Sequence, residues 1–299
     1  MRPDSSTAPA VLAGAHALLL DYWELTKPSV VWLILMSTAV GFYMGTSGSW
    51  PLILLVHTII GTALLAAGTG ALNQWWEREA DAKMRRTENR PLPAGRLRPG
   101  PALVFGIFLA AAGTIYLLAA VNVLAAVLGF LTLACYLWIY TPLKSRTPAA
   151  TFVGAFPGAM PPLIGWVAAR ASIGIEGWVL FATLFLWQFP HFYAIAWMYR
   201  EDYQRAGIRM LPVVEPDGIS TGRQVVCYTL ALIPVSLAPT LLGMAGFLYA
   251  AGALAAGIIY LYFGILMARE KTRFQARRLL QASVFYLPLL YFFLIVDKL

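Results

Sequence analysis

The sequence predicts an all-α polytopic membrane protein: about nine transmembrane helices in one bundle, around a central cavity open at the cytoplasmic side. Three observations predict the fold class. Of 299 residues, 60% are hydrophobic and only 12% are charged, against roughly a quarter charged in a soluble domain. Apolar runs of about 20 residues, each long enough to cross a hydrocarbon core of ~30 Å, recur from Pro28 to the end. Backbone groups in lipid must be hydrogen-bonded within their own segment, so each run reads as a helix. A single membrane domain over 1–299 is expected.

Residues 1–23 read as a cytosolic or interfacial lead-in. Their early prolines, Asp4 and the weak basic content argue against a cleaved signal peptide, and His16 reads as exposed. The first span, 28–46, ends at "TSGSWP". The second, 51–72, leads through a polar stretch to "RPLPAGRLRPGP". The third and fourth, 101–120 and 122–142, are parted only by "VN", with Asn122 the single polar turn signal. The fifth, 149–169, is rich in Gly, Ala and Pro; small residues let helices approach closely, and prolines open backbone around cavities. Spans 177–199, 224–244, 246–267 and 279–296 complete the bundle. Cys135 and Cys227 lie far apart in apolar runs and read as packing residues.

A net charge of +8 raises nucleic acid as a partner, and its distribution excludes it. With alternate loops assigned to alternate sides, 20 of the 22 Lys and Arg share one side; only Arg170 and Lys298 fall on the other. This is the positive-inside signature. It puts the N-terminus and the loops after spans two, four, six and eight in the cytoplasm, and the C-terminus outside. The cluster from Arg269 to Arg278 reads as contact with anionic membrane lipid.

Two polar clusters stand out against this background. Asn73, Glu77 and Asp81 fall at i, i+4 and i+8, one stripe of a helix with about 6 Å of rise per step. Their oxygens suit a hard cation such as Mg²⁺, which binds through a few carboxylates and completes its shell with phosphates. Glu79 points elsewhere and reads as a solvated charge. The competing reading pairs the acids with Arg78, Lys83 and Arg85 along the helix. Arg85, Arg86 and Arg90 follow within a turn or two, a surplus of bases that fits a polyanion bridged by metal; arginine forks suit phosphate oxygens. The second cluster closes span six in "WQFPHFYAIAWMYREDYQRAG". There His191 and Asp202 are expected on one face, and an intramembrane polar group is a functional candidate by default. The other reading of His191 is a hydrogen-bonded core histidine after a Pro kink. His57 reads as a helix–helix hydrogen bond. Lys144 and Arg146, in "YTPLKSRT", are further candidate phosphate partners. Each polar cluster precedes a basic loop, as if a four-helix unit were used twice. A cavity between the halves can hold a lipid-like chain, with its pyrophosphate at the mouth.

An N-x-x-x-[DE]-x-x-x-D run ending a span, bases after it and a second polar cluster four spans later resemble the UbiA-type intramembrane prenyltransferase superfamily. "LTKP" at 25–28, "NQWWEREADAKMRRTENRPLP" at 73–93, "GAMPPLIGW" at 158–166, "WQFPHFYAIAWMYREDY" at 187–203 and "AGIRMLP" at 206–212 are similar to its protohaem-farnesylating branch. The resemblance implies an enzyme that transfers farnesyl from farnesyl diphosphate to a vinyl group of haem b, with addition of water, to form haem O. It implies Mg²⁺ on Asn73, Glu77 and Asp81, with Asp202 also catalytic. Arg85, Arg86, Arg90, Lys144 and Arg146 are implied on the diphosphate, and His191 and Tyr193 against haem. Implied partners are haem A synthase or oxidase assembly factors. Many superfamily members carry Asp at the position of Glu77 and a second Asp-rich motif; the few acids around Asp202 put a full second metal site in doubt.

Two other functions compete. Prenyl transfer to a quinone or chlorophyll precursor uses the same chemistry, and "PHFYAIAWMYREDY" argues against it. A transporter predicts charge buried mid-membrane or inverted repeats with broken helices, whereas charge here gathers at one membrane face.

Overall fold

A computed structural model of the chain describes residues 7–48 and 51–299, with side chains from His16 onward. Arg2, Pro3 and Asp4 of the lead-in, and Ser49 and Trp50 of the turn after the first span, lie outside the described residues. Among the described residues nine helices are long and apolar enough to cross a membrane, and no strand occurs beyond an isolated bridge between Ala245 and Lys298.

The helices are α1 (Thr7–Leu25), α2 (Pro28–Gly45), α3 (Leu52–Asp81) and α4 (Pro99–Ala120), then α5 (Val123–Leu143). After α6 (Ala150–Arg170) and α7 (Ile175–Met198) come two short helices, α8 (Arg200–Arg205) and α9 (Leu211–Val214). The chain ends in α10 (Ile219–Leu241), α11 (Phe247–Glu270) and α12 (Arg273–Val296). The spans are α2–α7 and α10–α12.

Local chemistry explains where they begin and end. Pro28 and Pro99 sit in the first turns of α2 and α4, where a missing N–H costs nothing. Asn122 does form the break between α4 and α5: its Oδ1 accepts from Ala125 N at 2.8 Å and its Nδ2 donates to Val167 O at 2.9 Å. Thr272 caps α12 by accepting from Gln275 N at 3.2 Å, so that helix begins at Arg273 rather than at 279. The second span does not stop at 72: α3 continues as one helix through its charges to Asp81. In α5, residues Cys135–Tyr140 widen into π turns just before Pro142, whose ring cannot fit an ordinary helical ladder. Such widened turns often mark functional sites.

Small residues draw the spans together. Where α2 crosses α6, a Cβ on Gly165 would lie 1.9 Å from Thr38 O, and one on Gly41 would lie 1.9 Å from Pro162 O. The two backbones touch, as small-residue interfaces in lipid allow. α6 and α7 are the most enclosed spans and form the centre of the bundle. From α7, Phe189 stacks on Tyr228 of α10 at 3.8 Å between ring centroids, and Trp187 Nε1 donates to Ser283 O of α12 at 2.9 Å.

At one end of the bundle three connections are knitted together. The Arg205 guanidinium of α8 donates through Nε to Lys83 O at 3.3 Å, and Arg209 N donates to Lys144 O at 2.8 Å. Met84 packs in a cluster with Ala196, Tyr203, Ile208 and Met210. The chain after α3, the chain after α5 and the chain after α7 thus form one floor.

Candidate active site

The polar stripe of α3 lies on that floor, and each of its members meets a base from a different segment. Asn73 is 1% exposed and accepts at Oδ1 from Lys27 Nζ at 2.5 Å. Its Nδ2 donates to Thr141 Oγ1 at 3.4 Å. One turn on, Glu77 accepts from Lys144 Nζ at 2.7 Å. A further turn on, Asp81, whose side chain is 2% exposed, accepts from Arg90 at 2.7 Å. Its own carbonyl accepts from Thr87 Oγ1 at 2.9 Å, which turns the following chain back toward the stripe. The pairing along the helix with Arg78, Lys83 or Arg85 does not occur: Arg78 lies over the Trp75 ring and pairs with Glu79 instead.

The bases are held as firmly as the acceptors. Lys27 sits between α1 and α2 with φ 56° and ψ 60°, a left-handed conformation unusual for a residue with a Cβ. Gln74 fixes that joint by donating to Glu24 O and Leu25 O at 3.2 and 3.1 Å, and Arg96 ties α1 down through Asp21 and Glu24. Burial, and then the Arg90 and Lys144 charges, push the Lys27 ammonium down to about 7 against the pull of Glu77 and Asp81. Lys144 follows the widened turns of α5, with its ammonium 4.4 Å from the centre of the Tyr140 ring and 5.9 Å from that of Tyr136. Burial opposes its charge, yet the Glu77 carboxylate holds the ammonium well above the ordinary lysine range.

Other candidates sit at varied distance from this core. Arg85, Arg86 and Arg146 are exposed on the same connections; Arg86 stacks its guanidinium over Tyr199 at 5.1 Å. Asp202 is buried and paired with Arg205. It does not share a continuous face with His191, because α7 stops at Met198 and Tyr199 turns the chain into α8. His191 Nδ1 lies 2.8 Å from Ser283 Oγ, and the ring stacks on Trp187 at 4.9 Å. Tyr193 is buried in the core. His57 Nδ1 lies 2.8 Å from Tyr116 OH of α4, a helix–helix hydrogen bond.

Among the described residues no three His, Cys, Asp or Glu side chains gather into a cage. Two carboxylates and an amide along one buried helix edge still fit Mg²⁺ in their donor chemistry. That ion is usually held by one or two carboxylates plus substrate phosphates, not by an all-protein cage. Lys144 and Arg90 match the two acids, and Lys27, its ammonium pushed down to about 7, gains its proton as negative charge arrives, so the site suits an added anion.

Lys27, Thr141, Gln74 and Arg96 were not singled out by spacing. Their partners lie far along the chain, and although Lys27, Gln74 and Thr141 fall within "LTKP", "NQWWEREADAKMRRTENRPLP" and "YTPLKSRT", no helical period marks them.

Comparison with known proteins gives the family of the chain. The family model described as the UbiA prenyltransferase family matches residues 34–292. A protoheme IX farnesyltransferase of Solibacter usitatus is 58% identical, over 93% of this chain and 98% of its own. That of Koribacter versatilis is 45% identical, over 95% of each chain. Among solved structures, a digeranylgeranylglyceryl phosphate synthase has a TM-score of 0.79 at 17% identity, covering 94% of this chain and 98% of that one. A UbiA homologue from Archaeoglobus fulgidus, bound to GPP and Mg²⁺, has a TM-score of 0.67 at 18% identity, covering 92% and 99%. An integral membrane protein by the nine apolar spans among its described residues, and a prenyltransferase by this likeness, the chain belongs to the UbiA prenyltransferase family.

Proposed function

We propose that the chain transfers the farnesyl group of farnesyl diphosphate to a vinyl group of haem b, forming haem O for terminal oxidases. The observation that carries the reading is the Asn73–Glu77–Asp81 stripe, faced by Lys27, Lys144 and Arg90, in a chain 58% identical to a protoheme IX farnesyltransferase.

The chemistry follows from where charge develops. Ionising an allylic diphosphate breaks the C–O bond and leaves negative charge on the phosphate oxygens. Donors fixed beforehand around that position stabilise it most. Arg90, Lys144 and Lys27 supply such donors beside the stripe, with Arg85, Arg86 and Arg146 as an outer ring that draws the anion in. Asn73, Glu77 and Asp81 would hold Mg²⁺, which would supply Lewis-acid stabilisation of the leaving diphosphate. The farnesyl carbon then bonds to the terminal vinyl carbon of haem b. Water adds to the adjacent carbon and releases a proton, leaving a hydroxyethylfarnesyl side chain and free diphosphate.

His191 is the proposed haem contact. Ser283 and Trp187 fix its ring, and imidazole suits iron. Tyr193, two residues on and buried beside Phe189, is the second proposed haem contact. Asp202, held by Arg205, is the further proposed catalytic carboxylate. The cavity opens on the cytoplasmic side of a bacterial inner membrane, with the N-terminus inside and the C-terminus outside. Haem A synthase or an oxidase assembly factor receives the product.

The test is incubation of membranes carrying the chain with haem b, farnesyl diphosphate and Mg²⁺, followed by mass analysis of extracted haem. A gain of one farnesyl and one water supports the reading; unmodified haem beside a farnesylated quinone precursor would replace it.

A further inference from the structure

Far from the stripe, a groove runs between α11 and α12. Its volume is about 320 Å³. One wall is Ala256, Ile259, Tyr260 and Phe263 of α11, spaced i, i+3, i+4 and i+7, a single helix face. The other is a face of α12 from Arg278 through Ala282 and Phe285 to Leu289. Phe285 is 75% exposed and Ile259 is 55% exposed, so the groove opens sideways to lipid.

Three features name its occupant. First, the alanines at 256 and 282 leave a hollow between larger apolar side chains. Second, Arg278 to Leu289 covers about 16 Å of helix rise, close to the ~15 Å of a single leaflet. Third, Arg278 stands at one end, its guanidinium 4.9 Å above the Phe263 ring and 5.6 Å from that of Phe274. Arg269, Lys271, Arg273 and Arg277 flank it in sequence, and among the described residues none of these five bases is in an ion pair. Glu270, the acid nearest in sequence, accepts from Gln275 Nε2 at 2.7 Å. A leaflet-long apolar groove with the unpaired Arg278 cation at one end complements an acyl chain ending in a phosphate.

We propose that the α11–α12 groove binds one anionic phospholipid, its phosphate on Arg278 and one acyl chain along Ala256, Ala282 and Phe285. The site is independent of the farnesyl-transfer reading.

Native mass spectrometry of the full chain, released from neutral detergent with phosphatidylglycerol or phosphatidylcholine of identical chains, tests it. One phosphatidylglycerol should be retained about fivefold over phosphatidylcholine, the weight of one basic side chain against an anionic headgroup. Arg278→Gln should bring the two lipids to parity, and Ala282→Trp, which fills the hollow, should lower retention of both. Ile259→Trp repeats the block from the α11 side if Ala282→Trp does not fold. A preference unchanged in Arg278→Gln overturns the proposal. So does retention unchanged in the groove-filling variant. Loss of the preference to excess inorganic phosphate, with the Trp variant unaffected, marks a free-anion site and overturns it too.

Discussion

The Lys144 ammonium donates to Glu77 at 2.7 Å, and both side chains are largely enclosed, 13% and 15% exposed. The pair joins the end of α5 to the polar stripe of α3, 67 residues earlier. Lys144 also accepts at its carbonyl from Arg209 N, so one residue ties two of the three connections to the site.

Removing one partner leaves the other buried and unpaired, which costs about 3–5 kcal/mol. Glu77→Gln and Lys144→Met should each lower the melting temperature in detergent, and the double variant should recover most of the loss. Product formation should stay absent in all three. A double variant that makes haem O at the normal rate would show that the pair only braces the fold.

The proposed duty of Arg90 is different. It leaves Asp81 one charge-assisted hydrogen bond, worth about 1.5–3 kcal/mol, and faces the expected diphosphate. Arg90→Ala should raise KM for farnesyl diphosphate by about tenfold or more while haem affinity stays level, read from initial rates and from haem titration. A fall in haem affinity alone contradicts the assignment.

His191 and Ser283 make a graded test of haem contact. Ser283 fixes one ring nitrogen at 2.8 Å. In haem-loaded protein His191→Ala should move the Soret band, and Ser283→Ala should broaden or shift it less. An unchanged spectrum in His191→Ala removes the residue from the iron.

The α2–α6 crossing predicts a stability effect without catalytic chemistry. Gly165→Ala places a methyl where Thr38 O already stands, an overpacking that costs about 1–3 kcal/mol. The variant should melt earlier yet keep its KM values; a melting temperature equal to that of the native chain contradicts the close approach.

Much of the fold was readable because hydropathy and helix length are local properties. The nine spans among the described residues, and Asn122 as the turn between two of them, needed only neighbouring residues. The stripe was readable for the same reason, since i, i+4, i+8 is a helical period wherever the helix ends. What spacing missed is long-range. Lys27 meets Asn73 across 46 residues, and Arg96 reaches Asp21 across 75; no periodicity encodes either. The shared face of His191 and Asp202 failed for a related reason. Helical counting assumes an unbroken helix, whereas the helix ends at Met198 and turns at Tyr199, where Tyr199 packs on the cluster of Met84, Tyr203 and Ile208.

Asp81 carries the most direct test, because it is almost wholly buried and its Asn substitute keeps its shape. Purified native chain and Asp81→Asn are each incubated with haem b, farnesyl diphosphate and Mg²⁺, and the extracted haem is weighed by mass spectrometry. The native chain should add one farnesyl and one water, and Asp81→Asn should fall by about 10²–10³-fold, the weight of one fixed group that stabilises developing charge, while remaining folded in the membrane. Equal product from both proteins, or no mass gain from the native chain, contradicts the account.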